Sequence, residues 1–118
     1  MKASRGEIKI CEILDAAGLR YQEEYSFPDL VSSSGRPLRF DFAVFDDDGD
    51  IDFLLEYQGI QHYEAKSKYG GSKGLFRQKY NDEQKRKYCL THGITLVCVP
   101  YWDDAILDYD YIMRAAGY

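Results

Sequence analysis

No stretch of this 118-residue chain approaches the roughly 20 consecutive apolar residues that a membrane-spanning helix requires. The opening Met1-Lys2-Ala3-Ser4-Arg5-Gly6-Glu7 has no apolar segment, which argues against a secretory signal peptide. Cysteine is scarce: Cys11, Cys89 and Cys98 are odd in number and lack C-x-x-C spacing, against both a disulfide framework and a zinc site. Repeats, low-complexity tracts and a linker are also missing. What remains is an ordinary globular composition, 45% hydrophobic and 30% charged, long enough for one core and one domain over residues 1–118. These absences describe a cytoplasmic protein with no membrane partner.

Positive charge is short overall but unevenly spread. The chain carries −5, yet Lys66, Lys68, Lys73, Arg77, Lys79, Lys85, Arg86 and Lys87 share the stretch 66–87 with only Asp82 and Glu83. That stretch carries +6 and the remainder −11. Such asymmetry points to a polyanion-binding face, with a solvated helix as the competing explanation.

Hydrophobic spacing and turn residues predict the order α-β-β-β-α-β-α, an α/β (α+β) arrangement with a mixed central sheet flanked by helices. Ser4 as N-cap, Glu7 three residues later and Gly18 as a stop frame a helix over 5–17. Strands are expected over 21–27, 38–45 and 51–57, the last two joined by a turn in Asp46-Asp47-Asp48-Gly49-Asp50. Tyr69-Gly70-Gly71-Ser72 reads as irregular. A charged helix over 73–92 would pack through Leu75, Phe76, Tyr80, Tyr88 and Leu90. Ile94 to Val99 has the profile of a central strand buried on both faces, with Cys89 and Cys98 as inert core thiols, and Asp103 would start the last helix.

Carboxylates stand where a core should be apolar. Asp41 interrupts Phe40, Phe42, Ala43, Val44 and Phe45; Glu56 ends Ile51 to Leu55. Counting back from a turn at Asp48-Gly49 sets Asp41 nearly opposite Glu56. Two close carboxylates repel unless a cation lies between them, and hard dications such as Mg²⁺ take such oxygens. A solvated sheet edge is the alternative. Gln58, two residues beyond Glu56, shares its face in an extended chain, and His62 follows after Gly59. An imidazole there is either a proton acceptor or a structural residue. Glu7 is accounted for by the capping box with Ser4. Among the 11 tyrosines, Tyr57, Tyr63, Tyr69 and Tyr80 could stack on bases or simply pack.

Asp41, then Glu56-x-Gln58, with an acid on the first helix, resembles the PD-(D/E)xK restriction-endonuclease-like superfamily. Glu56-Tyr57-Gln58-Gly59-Ile60-Gln61-His62-Tyr63 narrows the likeness, as do Asp82-x-x-Lys85-x-x-Tyr88-Cys89 and Gly93-Ile94-x-Leu96-Val97-x-Val99-Pro100-Tyr101. Together, over residues 4–102, they are similar to very-short-patch-repair-like and related phage and homing endonucleases. The resemblance implies that Glu7, Asp41 and Glu56 hold Mg²⁺, replaceable by Mn²⁺. It sets Gln58 at the place of the superfamily lysine, His62 near the attacking water, and Asp82 and Lys85 on a helix bordering the site. The lysine is missing, leaving Lys85 or His62 to compensate, and no structural zinc cysteines are present.

The implied activity is metal-dependent hydrolysis of DNA phosphodiesters, of nicking, homing or branched-DNA type. The eight basic residues of 66–87 would follow the phosphate backbone. A junction-resolving enzyme would be a homodimer, because two symmetric cuts need two sites. The alternative is a catalytically silent module of the same fold that binds nucleic acid or a partner.

Overall fold

A computed structural model describes residues 4–118. Met1, Lys2 and Ala3, part of the segment without signal-peptide character, lie outside the described residues. The elements are α1 (Arg5–Ala16), β1 (Arg20–Val31), β2 (Pro37–Phe45), β3 (Ile51–Gln58), α2 (Gly71–His92), β4 (Thr95–Pro100) and α3 (Tyr109–Ala115). Short 3₁₀ turns fill Ile60–His62, Ser67–Tyr69 and Tyr101–Ile106. The expected element order holds, and the fold is α+β with a four-stranded mixed sheet. Among the described residues no helix is long and apolar enough to cross a membrane.

The sheet order is β1-β2-β3-β4, antiparallel at the first two junctions and parallel at the third. Both faces are covered. On one, Ile10 and Leu14 of α1 and Ile112 of α3 close over Phe42, Val44, Phe53, Leu55, Val97 and Val99. On the other, Cys89 of α2 packs with Leu30, Leu38, Phe40, Ala43 and Leu54. The apolar residues of α1 recur at helical spacing, and Ser4 caps it by accepting the Glu7 N–H at 3.2 Å.

Several expectations need correction. β3, with Phe53, Leu54, Leu55 and Glu56 all buried, is the strand enclosed on both faces. β4 lies at an edge; Val97 and Val99 are buried while Cys98 is exposed and so is not a core thiol. An apolar run does not tell which strand flanks it on the far side. β1 runs on through Pro28 because it is the other edge, where a missing N–H costs no ladder bond. Gly71 and Ser72 belong to α2, preceded by Gly70 at φ +90°. Phe76, Tyr80 and Leu90 are exposed rather than packed. Asp103 lies in a 3₁₀ turn; the N-cap of α3 is Asp108, whose carboxylate accepts the Tyr111 N–H at 2.8 Å.

Candidate functional site

Strand register brings the carboxylates together. β2 and β3 pair Phe42 with Leu55 and Ala43 with Leu54, and one further step sets Asp41 against Glu56. An irregularity between Val44 and Phe45 absorbs the turn without shifting this end. Asp41 is anchored by the Tyr57 N–H, donated to Oδ2 at 2.7 Å.

At the same level the β1–β2 ladder is interrupted. Glu23 pairs with Phe42 and Tyr25 with Phe40, but the intervening Glu24–Asp41 step is skipped and Glu24 takes φ +52°. A non-glycine residue in that region is uncommon and stores strain. The break turns both strands over: Phe42 and Tyr21 face the α1 core, whereas Phe40, Tyr25 and Phe27 face the α2 core. Asp41 sits at this crossover, open to groups from both sides of the sheet.

A cavity of about 670 Å³ opens there, lined by Glu7, Glu23, Glu24, Asp41, Glu56, His62 and Lys85 among others. Burial, then the neighbouring Glu56, pushes the Asp41 carboxyl up to about 7, with Glu7 adding to the rise. The Tyr57 N–H and Lys85 pull against that shift. Glu56 is buried at 4% exposure and its carboxyl is also pushed up, by burial first, against the opposing pull of Lys85.

Lys85 is not a surface phosphate contact. It is the buried base of the cavity, with Nζ 2.5 Å from Glu56 Oε1 and 5.4 Å from the Phe40 ring centroid. One turn earlier on α2, Asp82 Oδ2 lies 2.8 Å from His62 Nδ1, and Gln78 Nε2 donates to Asp82 Oδ1 at 3.0 Å. When Nδ1–H donates to Asp82, Nε2 is the ring atom left to accept a proton. Glu7 reaches the cavity from the first turn of α1, its Oε1 accepting the Ser4 hydroxyl at 3.0 Å, so cap and cavity wall are one residue.

Gln58 is placed elsewhere. Its Oε1 accepts the Tyr63 hydroxyl at 2.5 Å, and it lines a smaller cavity beyond the Glu56–Lys85 pair. The basic run is divided as well. Arg77 borders a recess adjoining the main cavity, Lys79 and Arg86 border the smaller one by β4, and Lys68, Lys73 and Lys87 are exposed. Lys66 is half-buried beside Glu64, at 3.4 Å. Unforeseen members are Glu23 and Glu24. Tyr63, a candidate base-stacking residue by sequence, instead packs with Tyr101 and Trp102, its centroid 4.5 Å from that of Trp102.

Among the described residues no three His, Cys, Asp or Glu side chains form a ready-made metal group. The donor chemistry nevertheless suits a hard cation. Asp41 gives only Oδ2 to Tyr57 and Glu56 only Oε1 to Lys85, and no buried side-chain polar atom among the described residues lacks a partner. The second oxygen of each is therefore not sealed from solvent, and a dication beside them would relieve the mutual repulsion.

Gly6 fixes how α1 meets this site. A Cβ at Gly6 would fall within the Tyr57 ring, whose hydroxyl donates to Asp104 at 2.9 Å. Alanine ordinarily favours a helix interior. Here Gly6→Ala is expected to lower stability by about 1–3 kcal/mol through overpacking, read as a fall in melting temperature.

No family model matches the chain, and no solved structure matches it. It is similar to uncharacterized protein 307L of Invertebrate iridescent virus 6, 28% identical over 133 aligned positions covering 100% of this chain and 67% of that protein. Uncharacterized protein 094L of Frog virus 3 (isolate Goorha) is 47% identical over 49 residues, 40% of this chain and 32% of its own length. Uncharacterized protein 033L of Invertebrate iridescent virus 3 is 40% identical over 48 residues, covering 40% of this chain and 25% of itself. The chain thus spans about two thirds of the first relative and a third or less of the others.

Proposed function

We propose that this chain is a Mg²⁺-dependent DNA endonuclease of the PD-(D/E)xK restriction-endonuclease-like kind, with Mn²⁺ able to replace Mg²⁺. The observation that carries the reading is the closeness of Asp41 and Glu56 just beyond the last β2–β3 pair, both carboxyls raised by burial in a cavity shared with Lys85 and His62. A fold does not retain partly buried, mutually repelling acids without a compensating gain, and a dication is the partner their oxygens suit.

Asp41 and Glu56 would hold the ion, with Glu7 directly or through water. A bound dication supplies positive charge against phosphate oxygens and acidifies water. His62, oriented through Nδ1 by Asp82, accepts the proton of the attacking water at Nε2. Lys85 brings a cation to the cavity from α2, a position the motif lysine would otherwise fill from β3. Arg77, in the recess adjoining the cavity, and the exposed Lys68 and Lys73 offer phosphate contacts, so binding weakens with added salt.

One observation favours the silent module. Lys85 already neutralises Glu56, and Gln58 is engaged with Tyr63, so these two residues have their partners without an ion. Mn²⁺ calorimetry followed by incubation with supercoiled, branched and mismatched DNA separates the two. The nuclease reading expects Mn²⁺ binding and cleavage that EDTA abolishes. DNA binding with neither metal uptake nor cleavage establishes the silent module instead.

A further inference from the structure

The two edges of the sheet are treated differently. β1 is guarded in the ways that natural edge strands are: Pro28 lies within it, Glu24 kinks it, its register breaks between Ser26 and Val31, and Arg20, Glu23 and Glu24 charge it. β4 carries one such device, Pro100 at its last position, and the rest of the strand has none. Thr95-Leu96-Val97-Cys98-Val99 is uncharged and unbulged, pairs with β3 in uninterrupted register, and among the described residues presents its other side to no strand. Such an edge is a template for strand addition.

The flank of α2 that overhangs this edge is self-complementary. Lys79, Glu83 and Arg86 line the recess shared with Leu96 and Cys98 of β4, and Leu90 continues their helical spacing at 74% exposure. We propose that β4 is the dimer interface of this protein, pairing antiparallel with β4 of a second copy to make one eight-stranded sheet. A two-fold axis perpendicular to the sheet keeps both α2 helices on the same face and runs them antiparallel. We place the axis midway between Glu83 and Arg86, where Glu83 of each copy would face Arg86 of the other and the Lys79 stem would lie against Leu90. Glu83 and Arg86 now pair within one helix at 2.5 Å, half exposed to solvent, and can be shared across the interface without leaving a buried charge. The main cavity shares only Glu56 and Lys85 with this recess, so its other lining residues take no part in the interface. The inference is independent of the nuclease reading.

Sedimentation equilibrium at micromolar concentration tests it. The expected mass is twice that of the chain, and a short bis-maleimide should couple Cys98, the exposed cysteine, between copies. Arg86→Glu should weaken association at least about tenfold, and the swap Glu83→Arg with Arg86→Glu should restore it. Cys98→Lys, which charges the edge, should also disperse the dimer, with circular dichroism confirming that each variant is folded. A monomer at all concentrations overturns the proposal. So does a dimer that folded Arg86→Glu and Cys98→Lys leave intact.

Discussion

Asp41→Asn is expected to make the metal-free protein more stable and to remove its activity. The carboxyl moves from 3.8 to about 7 on folding because burial and the neighbouring Glu56 disfavour its charge. Between those values the folded chain holds a proton that the unfolded chain has lost. The group's stability contribution is therefore full below about pH 4 and falls as pH rises toward 7. At about 1.4 kcal/mol per pH unit the loss has a ceiling of roughly 4 kcal/mol, reduced by solvent entering the open cavity. Asparagine can still accept the Tyr57 N–H and carries no charge to desolvate. In EDTA, wild-type melting temperature should fall by several degrees between about pH 5 and pH 8, and the variant should fall less. Added Mn²⁺ should restore wild type at the higher pH and leave the variant unmoved. Cleavage by the variant should drop at least about a hundredfold, the loss of a few kcal/mol of transition-state charge stabilisation. Retained cleavage would remove Asp41 from the mechanism. A stability loss at high pH would instead mark its carboxylate as a structural anchor.

Some of this site was legible in the chain and some could not be. Ser4 and Glu7 announce the start of α1 by local chemistry alone, and the Asp-rich turn fixes the β2–β3 pairing closely enough to put Asp41 beside Glu56. Both inferences need only residues near in sequence. β4 shows the limit: its apolar run matches a central strand, yet its edge position depends on what lies on its far side. Gln58 does border the same smaller cavity as Glu56, as alternation predicts, but spacing gives no sign that the Tyr63 hydroxyl engages its amide or that it stays off the main cavity wall. Glu23 and Glu24 look like any solvent-facing acids in β1. Their place on the wall of the same cavity as Asp41 goes with the skipped ladder step and the positive φ of Glu24, which no local signal encodes. Lys85 was hidden among like residues, because a cluster of lysines does not say which one α2 turns inward.

That inward lysine carries the second large effect. Lys85 and Glu56 have side chains 10% and 5% exposed, and together they form the polar floor between the two cavities. Deleting one member of a buried pair strands the other charge, which costs about 3–5 kcal/mol. Lys85→Met should therefore lose about that much at pH 8 by urea denaturation, and less at pH 5, where Glu56, already raised by burial and released from its principal counter-charge, can take a proton. Adding Glu56→Gln should recover much of the loss, since a neutral amide beside methionine leaves no orphan charge. These results alone would fit a purely structural pair. Lys85→Arg separates the roles, because guanidinium keeps the charge and the contact with Glu56 but is planar and bulkier than an ammonium. If Lys85 serves only Glu56, the arginine variant should be stable and cleave at the wild-type rate. If its ammonium also meets the scissile phosphate in place of the missing motif lysine, the variant should keep its stability and KM while kcat falls. The second outcome is expected, because among the described residues Lys85 is the one cation that lines the main cavity, buried beside both raised carboxyls.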